Sequence, residues 1–162
     1  MKQFNSLDEI KNIEETVIAL GNFDGVHKGH QELIRRTVKS AKAAGLKSAV
    51  FTFANHPKNV LAGKPVIKNI LYPEDKAEII RCLGVDYLFS LEFNESIRYL
   101  SAEEFIHKLL VGAFKMREAY CGFNYRFGYM AEGTPETLIK AGMEEGFGIH
   151  VLEPFKIDGN LV

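Results

Sequence analysis

The sequence is poor in several features that mark specialised classes of protein. It has no tryptophan, two cysteines and five prolines, and its 20 Lys and Arg are balanced by 21 Asp and Glu. Two cysteines are too few for a disulfide framework, so we interpret Cys82 and Cys121 as free, buried thiols in a reducing compartment. Five prolines with 14 glycines exclude a collagen-like or proline-rich disordered chain. The formal charge of −1 argues against nucleic acid as the main partner.

Long apolar runs are also missing. The first residues, MKQFNSLDEIKN, have no apolar signal core, and no later stretch approaches the ~18 apolar residues that a membrane helix needs. The length of 162 residues fits one domain, large enough to bury a substantial core. We therefore expect a soluble, cytoplasmic, globular protein that has no membrane partner.

What the sequence has is an alternation of short apolar segments with helical patterns. This predicts an α/β protein with a mostly parallel, Rossmann-like doubly wound sheet and helices on both faces. The predicted strands are 16–20, 47–53, 85–91, 118–121 and 148–152, and the predicted helices are 29–45, 73–83, 101–110 and 135–145. Between them, residues 54–72 form a long loop, which is typical of a binding element or a disordered excursion.

The most informative segment is Gly-Asn-Phe-Asp-Gly-Val-His-Lys-Gly-His, residues 21–30, between the first predicted strand and the first predicted helix. Ligands of parallel α/β sheets bind beyond the carboxyl ends of strands, and a helix N-terminus attracts anions. The segment has neither the G-K-[ST] ending of a P-loop nor G-x-G-x-x-G, and histidines stand where the P-loop has lysine. The candidate catalytic residues are His27 and His30. The candidate nucleotide-binding residues are Gly21, Asn22, Phe23, Asp24, Gly25 and Gly29.

Other interpretations of these residues remain open. The H-x-x-H pair could ligate a metal with a further ligand such as His56, or the two histidines could merely cap the helix or pack beneath it. Asn22 and Asp24 could form an Asx turn instead of contacting ribose and phosphate. The basic residues of 28–47 could be a solvated helix face rather than a phosphate-attracting patch.

The segment from Gly21 to His30 resembles the H-x-G-H signature of the cytidylyl/adenylyltransferase superfamily. With N-F-D-G before the histidines, it is most similar to the FMN adenylyltransferase (FAD synthetase) module of bacterial bifunctional riboflavin kinase/FMN adenylyltransferases. The segment 53–57, F-A-N-H-P, resembles the F-x-P-H-P loop of that family, and 122–128, G-F-N-Y-R-F-G, resembles its G-x-[DN]-F-x-F-G segment. The resemblance runs from about Thr16 to the end of the chain.

The chain also departs from the family pattern. Asn55 stands where the family usually has Pro, and Tyr125 stands where it has Phe. The sequence ends at Val162, before the S-S-T-x-I-R motif that helps the family hold triphosphate, and before the riboflavin kinase module. We therefore expect one nucleotidyltransferase domain over residues 1–162 that folds but forms FAD slowly or not at all.

The resemblance implies a reaction and a set of ligands. Such enzymes transfer AMP from ATP to the phosphate of FMN, releasing FAD and pyrophosphate, with Mg²⁺ accompanying ATP and few protein ligands to the metal. His27 and His30 would stabilise charge at the α-phosphate. The flavin side of the cleft would be lined by Asn55, His56, Pro57, Asn124, Arg126, Phe127 and Gly128, although Arg126 could equally be a surface charge. The alternatives are a catalytically weak nucleotide- or flavin-binding relative and a transferase for another phosphate-bearing acceptor.

Overall fold

The computed structural model describes residues 1–55, 57–64, 72–153, 156–157 and 160–161. The strands are β1 (Lys2–Phe4), β2 (Thr16–Leu20), β3 (Lys47–Phe53), β4 (Tyr87–Leu91), β5 (Met116–Gly122), β6 (Gly148–Leu152), β7 (Lys156–Ile157) and β8 (Asn160–Leu161). The helices are α1 (Lys28–Ala44), α2 (Pro57–Ala62), α3 (Pro73–Cys82), α4 (Glu95–Arg98), α5 (Ala102–Glu104, continued as a π-helix over Phe105–Ala113) and α6 (Pro135–Glu145). Short 3-10 turns lie at Leu7–Glu9 and Tyr129–Ala131.

Six of the strands form one parallel sheet in the order β1-β4-β3-β2-β5-β6. Strand β2 lies between β3 and β5, so the chain reverses its direction of travel across the sheet at this strand. A crevice opens at such a switch point, outside the carboxyl ends of β2 and β5. The loop that leaves β2 therefore starts at the place where α/β proteins of this topology bind ligands.

Apolar side chains cover both faces of the sheet. One face packs a cluster rich in buried aromatic rings against α5 and α6, with Phe89 stacked on Phe114 at 4.3 Å between ring centroids. The other face is mostly aliphatic and packs Val50 and Leu88 against Ile34 of α1 and Ile80 of α3. Strands β2 and β4 are buried at every position, as strands covered on both sides must be. The predicted α/β class and helices on both faces are confirmed.

The helix boundaries follow the signals in the sequence. Gly45 ends α1 in the left-handed region with φ of 71°, which glycine adopts without a Cβ penalty. Ser101 caps α5 in a reciprocal capping box with Glu104. Thr134 and Pro135 begin α6. The helical part of 101–110 differs from an ordinary α-helix because most of it is a π-helix.

Two predictions from the sequence need correction, and a third concerns membrane spans. Cys121 is buried, but Cys82 is exposed, because it occupies the solvent side of the last turn of α3. The segment 54–72 is not one uninterrupted loop, since Pro57–Ala62 is helical. In the part of the chain that the structure describes, no helix has both the length and the hydropathy to cross a membrane.

Candidate active site

The loop from Gly21 to His27 follows β2 and folds back over the sheet. Phe23, with φ of 54°, turns its ring inward, where it is 1% exposed. A Cβ on Gly21 would lie 3.1 Å from the tip of that ring, so glycine lets the ring pack beneath the loop. Gly25 and Val26 also have positive φ, and Val26 is buried. Three of the four residues from Phe23 to Val26 thus have positive φ, which is strained for the two that are not glycine. The buried side chains of Phe23 and Val26 hold the loop in this conformation.

His27 and His30 lie at the start of α1. His27 is the N-cap residue, and within the described chain its side chain makes no capping hydrogen bond. The two imidazole rings stack with their centroids 3.7 Å apart, and the edge of His30 meets Phe23 at 5.2 Å. No acidic residue occupies the first turn of α1, so the partial positive charge of the helix end is not neutralised there. The imidazole pair therefore lies beside a positive helix end that the side chain of His27 does not cap.

The electrostatic environment keeps His30 neutral. Burial, together with the nearby charges of His27 and Lys76, lowers its pKa from 6.5 to about 4. Its Nδ1 atom is buried and finds no hydrogen-bond partner among the described residues. A buried polar atom without a partner costs free energy and is a feature that active sites retain. In the unliganded protein His30 is therefore a neutral imidazole beside a positive helix end.

Asn22 and Asp24 occupy the outer part of the loop. The carbonyl of Asn22 accepts hydrogen bonds from Thr52 Oγ1 at 2.7 Å and from Lys76 Nζ at 3.1 Å. The carboxylate of Asp24 acts on Lys76 as a nearby opposite charge. These contacts tie the loop after β2 to the end of β3 and to α3.

Asn55 connects two further loops at the same edge. Its side-chain oxygen accepts a hydrogen bond from the backbone N–H of Phe93 at 2.7 Å, and its amide nitrogen donates to the Phe93 carbonyl at 3.3 Å. Phe53 and Phe93 also meet edge to face at 5.2 Å. Pro57 begins α2, and His56 lies outside the described residues. Asn55 thus holds the loops after β3 and β4 together.

The segment 124–128 follows β5, which pairs with β2 and so ends beside the histidine loop. Asn124 and Arg126 are exposed, whereas Phe127 is 5% exposed and packs against Phe105. Gly128 has φ of 81°, and a Cβ there would lie 2.9 Å from the backbone of Ala102. The structure therefore presents Asn124 and Arg126 to solvent and uses Phe127 and Gly128 to fasten the segment to α5.

The metal alternative can be examined for part of the site. Over the described residues, no group of three or more His, Cys, Asp and Glu side chains is arranged to hold a metal ion. His56, the further ligand considered for the histidine pair, is outside that range. The site residues named from the sequence remain predictions.

Lys76 was missed by the sequence analysis. It lies on α3 and is 8% exposed, although lysine is almost never buried without partners. One signal was available: Lys76 precedes Ile80 by four residues and so shares the buried face of the helix. Its three partners come from distant segments, which no helical pattern reveals.

Fold and loop together define a doubly wound α/β protein whose candidate site lies at the switch point of its sheet. The family model for FAD synthetase matches residues 9–162. This match covers nearly the whole chain, which therefore belongs to the FAD synthetase family.

Individual relatives agree with that assignment. The chain is 38% identical over 125 residues to a bifunctional riboflavin kinase/FMN adenylyltransferase of Bacillus subtilis, covering 76% of this chain and 39% of that protein. It is 39% identical over 134 residues to the protein of the same name in Listeria monocytogenes, covering 82% of this chain and 42% of the relative. The chain thus spans less than half the length of these curated relatives.

A solved structure shows the same fold. A Streptococcus pneumoniae protein described as a macrolide-efflux protein matches with a TM-score of 0.83 and 29% identity, over 99% of this chain and 52% of that chain. A universal stress protein from Archaeoglobus fulgidus matches at a TM-score of 0.50 and 10% identity, which concerns the fold alone.

Proposed function

We propose that this chain transfers AMP from ATP to the phosphate of FMN, forming FAD and releasing pyrophosphate. An FMN phosphate oxygen attacks the α-phosphorus of ATP, and the bond between that phosphorus and the bridging oxygen to the β-phosphate breaks. The electron pair leaves with pyrophosphate. The phosphate nucleophile is already ionised at neutral pH, so the reaction needs no general base. What it needs is alignment of the two phosphates and stabilisation of charge.

One observation carries this proposal: the stacked His27–His30 pair stands beside the N-terminus of α1 at the switch point of the sheet. An imidazole N–H and the free N–H groups of the helix end are donors suited to phosphate oxygens. His30 is neutral before ligand binds, and phosphate anions beside it would raise its pKa. The pair can therefore strengthen its interaction with phosphate as negative charge builds up.

The metal ion fits this arrangement without a dedicated protein cage. Mg²⁺ keeps several waters and is commonly bound through substrate phosphates, so it would reach the site together with ATP. Its chemistry when bound is to neutralise negative charge on the phosphates of ATP. The remaining tasks, binding and orienting the α-phosphate, fall to the loop from Gly21 to His30.

We place FMN on the side of the crevice formed by the loops after β3 and β5. Asn55 fixes the first of these loops through its two hydrogen bonds to Phe93. Asn124 and Arg126 are exposed just after β5, where they can reach the ligand, and Phe127 packs against Phe105 and so anchors the segment. Pro57 begins α2 on the same side, and His56, which the sequence predicts to line it, lies outside the described residues.

A single-turnover assay tests the proposal. The chain, in excess over FMN, is mixed with ATP and MgCl₂, and FAD is separated from FMN by chromatography, so that slow transfer is still detected. We expect FAD and pyrophosphate in equal amounts. Parallel reactions replace ATP by CTP or FMN by riboflavin, and these should give no dinucleotide. Binding of both ligands without any FAD would contradict the proposal and favour the catalytically weak binding relative.

A further inference from the structure

Lys76 is not among the predicted site residues, and its ammonium group is at the centre of a buried hydrogen-bond network. Its Nζ donates to the carbonyl of Asn22 at 3.1 Å, to Thr52 Oγ1 at 3.2 Å and to the carbonyl of Phe53 at 3.4 Å. An ammonium has three N–H donors, and each has an acceptor here. Lys76 thereby joins α3 to the ends of β2 and β3.

The three acceptors are not independent of one another. Thr52 Oγ1 accepts from Lys76 and donates to the Asn22 carbonyl, so that carbonyl receives two hydrogen bonds. The residue that follows it, Phe23, has a positive φ, which most side chains avoid. Lys76 and Thr52 therefore fix the loop just where its backbone turns into an unfavourable conformation.

The charge of Lys76 also acts on the loop. Burial lowers the pKa of Lys76, and the carboxylate of Asp24 opposes that effect. Lys76 and His27 are the charges that lower the pKa of His30 beyond the effect of burial. A charged group of this kind costs free energy to bury, and an apolar residue at the same place would pack without that cost. A role in the fold alone does not call for a cation here.

We propose that Lys76 is a positioning residue of the candidate active site: its buried ammonium fixes the Asn22 carbonyl and thereby holds the loop that carries Asp24, His27 and His30. The expected effect of Lys76 on the rate of FAD formation rests on the proposed function, whereas its effect on the conformation of the loop does not. Lys76 acts through Asn22 and Thr52 and does not itself touch the reacting atoms.

Three variants separate positioning from plain stability. Lys76→Met keeps the length of the side chain and removes its charge and hydrogen-bond donors. Lys76→Arg keeps the charge and the donors. Thr52→Val removes the bridging hydroxyl at nearly constant volume. Arg81→Met is the matched control, because it removes a cation from the exposed face of the same helix. Urea unfolding of each variant gives the folded fraction that normalises the other measurements.

The first readout is the titration of His30 by imidazole NMR in the absence of ligand. Asp24, His27 and Lys76 are the charged or titratable groups that face this part of the site. We expect the pKa of His30 to rise above about 4 in Lys76→Met, because a nearby positive charge is gone. The amide signals of 22–27 should shift as well. In Arg81→Met the titration and these signals should match those of the wild type.

The second readout is the rate of FAD formation at saturating ATP and FMN. Displacing catalytic groups by about 1 Å costs up to about 100-fold, so we expect kcat to fall about 10- to 100-fold in Lys76→Met with a smaller change in KM. Lys76→Arg should recover part of the loss, and Thr52→Val should show a smaller loss in the same direction. If Lys76→Met does not fold, Thr52→Val and Lys76→Arg carry the test.

The outcomes distinguish this inference from the proposed function. An unchanged His30 titration and unchanged loop signals in the folded variants would overturn the positioning role, as would a kcat loss no larger than that of Arg81→Met. If the wild type makes no FAD while the titration and loop signals shift as expected, the proposed function fails and the positioning of the loop stands.

Discussion

The two edges of the parallel sheet differ in how their polar groups are satisfied. At the carboxyl edge, the loop after β2 has left-handed residues at Phe23 and Val26, His30 has a buried nitrogen without a described partner, and Lys76 is buried as a cation. These features each cost free energy in the folded state. They lie together around the histidine pair.

The amino edge also has a non-glycine residue in the left-handed region, Lys115 with φ of 52°, but its polar groups are satisfied differently. A cavity of about 770 Å³ lies there, lined by residues that include Ile13, Glu15, Lys115, Arg117 and Gly146. Its charged groups have partners of their own: Arg117 pairs with Glu15 at 3.8 Å, and Lys115 Nζ donates to the Ile13 carbonyl at 3.0 Å. Among the described residues, these two cations of the cavity wall thus have partners, whereas the buried Nδ1 of His30 at the opposite edge has none.

The largest effect should come from the histidines. We expect His27→Ala or His30→Ala to slow AMP transfer about 100- to 1000-fold, because losing one donor to a developing oxyanion costs about 2.7–4 kcal/mol of barrier. The unfolding free energy should change far less. Steady-state rates with urea unfolding of the same samples measure both. Near wild-type turnover in both variants, or loss of the fold, would favour helix capping or packing as the role of these residues.

The pH dependence of stability should reveal the environment of His30. Its pKa is about 4 in the folded protein and 6.5 ordinarily, so between these values the unfolded chain binds more protons. The contribution of His30 to stability is therefore fully present above pH 6.5 and is lost as the pH falls towards 4. Urea midpoints across this window should fall more steeply for the wild type than for His30→Gln. Parallel curves for the two proteins would contradict the buried, neutral state of His30.

Two glycines allow the edges to be compared directly. Gly128 at the carboxyl edge and Gly146 at the amino edge have φ of 81° and 88°. Gly146 has ψ of 28° and lies in the left-handed region, where alanine is strained by about 1–2 kcal/mol. Gly128 has ψ of 176°, a conformation almost confined to glycine, where alanine is strained by about 1–3 kcal/mol. A Cβ at Gly128 also meets the backbone of Ala102, whereas none of the described atoms lies within 4 Å at Gly146. Because of this contact, Gly128→Ala should lower the unfolding free energy by about 1–3 kcal/mol more than Gly146→Ala does. Urea unfolding of the two variants measures this difference. Equal losses of unfolding free energy would show that the segment 124–128 does not depend on its close contact with α5.

The smallest effect should be at the charged wall of the cavity. Arg117→Gln removes an exposed ion pair with Glu15, and such pairs contribute about 0.2–1 kcal/mol. Turnover should be unchanged, since the residue lies at the edge away from the histidines. A large loss of activity in a folded Arg117→Gln protein would mean that the amino edge takes part in the reaction.

The sequence predicted elements whose signals are local. The helices predicted over 29–45 and 135–145 match α1 and α6 within a residue at each end. Strand β1 was missed because three residues carry too little periodicity. The π-helical part of α5 was missed because its geometry depends on packing against the sheet rather than on its caps.

The candidate site was predictable to the extent that it lies within one segment. Residues 16–30 predict a strand, a glycine-rich loop and the start of a helix, and the structure has these elements in that order. The contacts of Lys76 with Asn22 and Thr52 join segments that are 54 and 24 residues apart. Such contacts arise from tertiary packing, and a lysine on a helix ordinarily faces water.

The central claim is that nucleotide binds at the carboxyl edge, against the histidine pair. The most direct test is a crystal structure of the chain with Mg²⁺ and a non-hydrolysable ATP analogue. We predict phosphate density beside His27, His30 and the first turn of α1. Nucleotide bound instead in the cavity beside Glu15 and Arg117, with the loop from Gly21 to His30 unoccupied, would contradict the account.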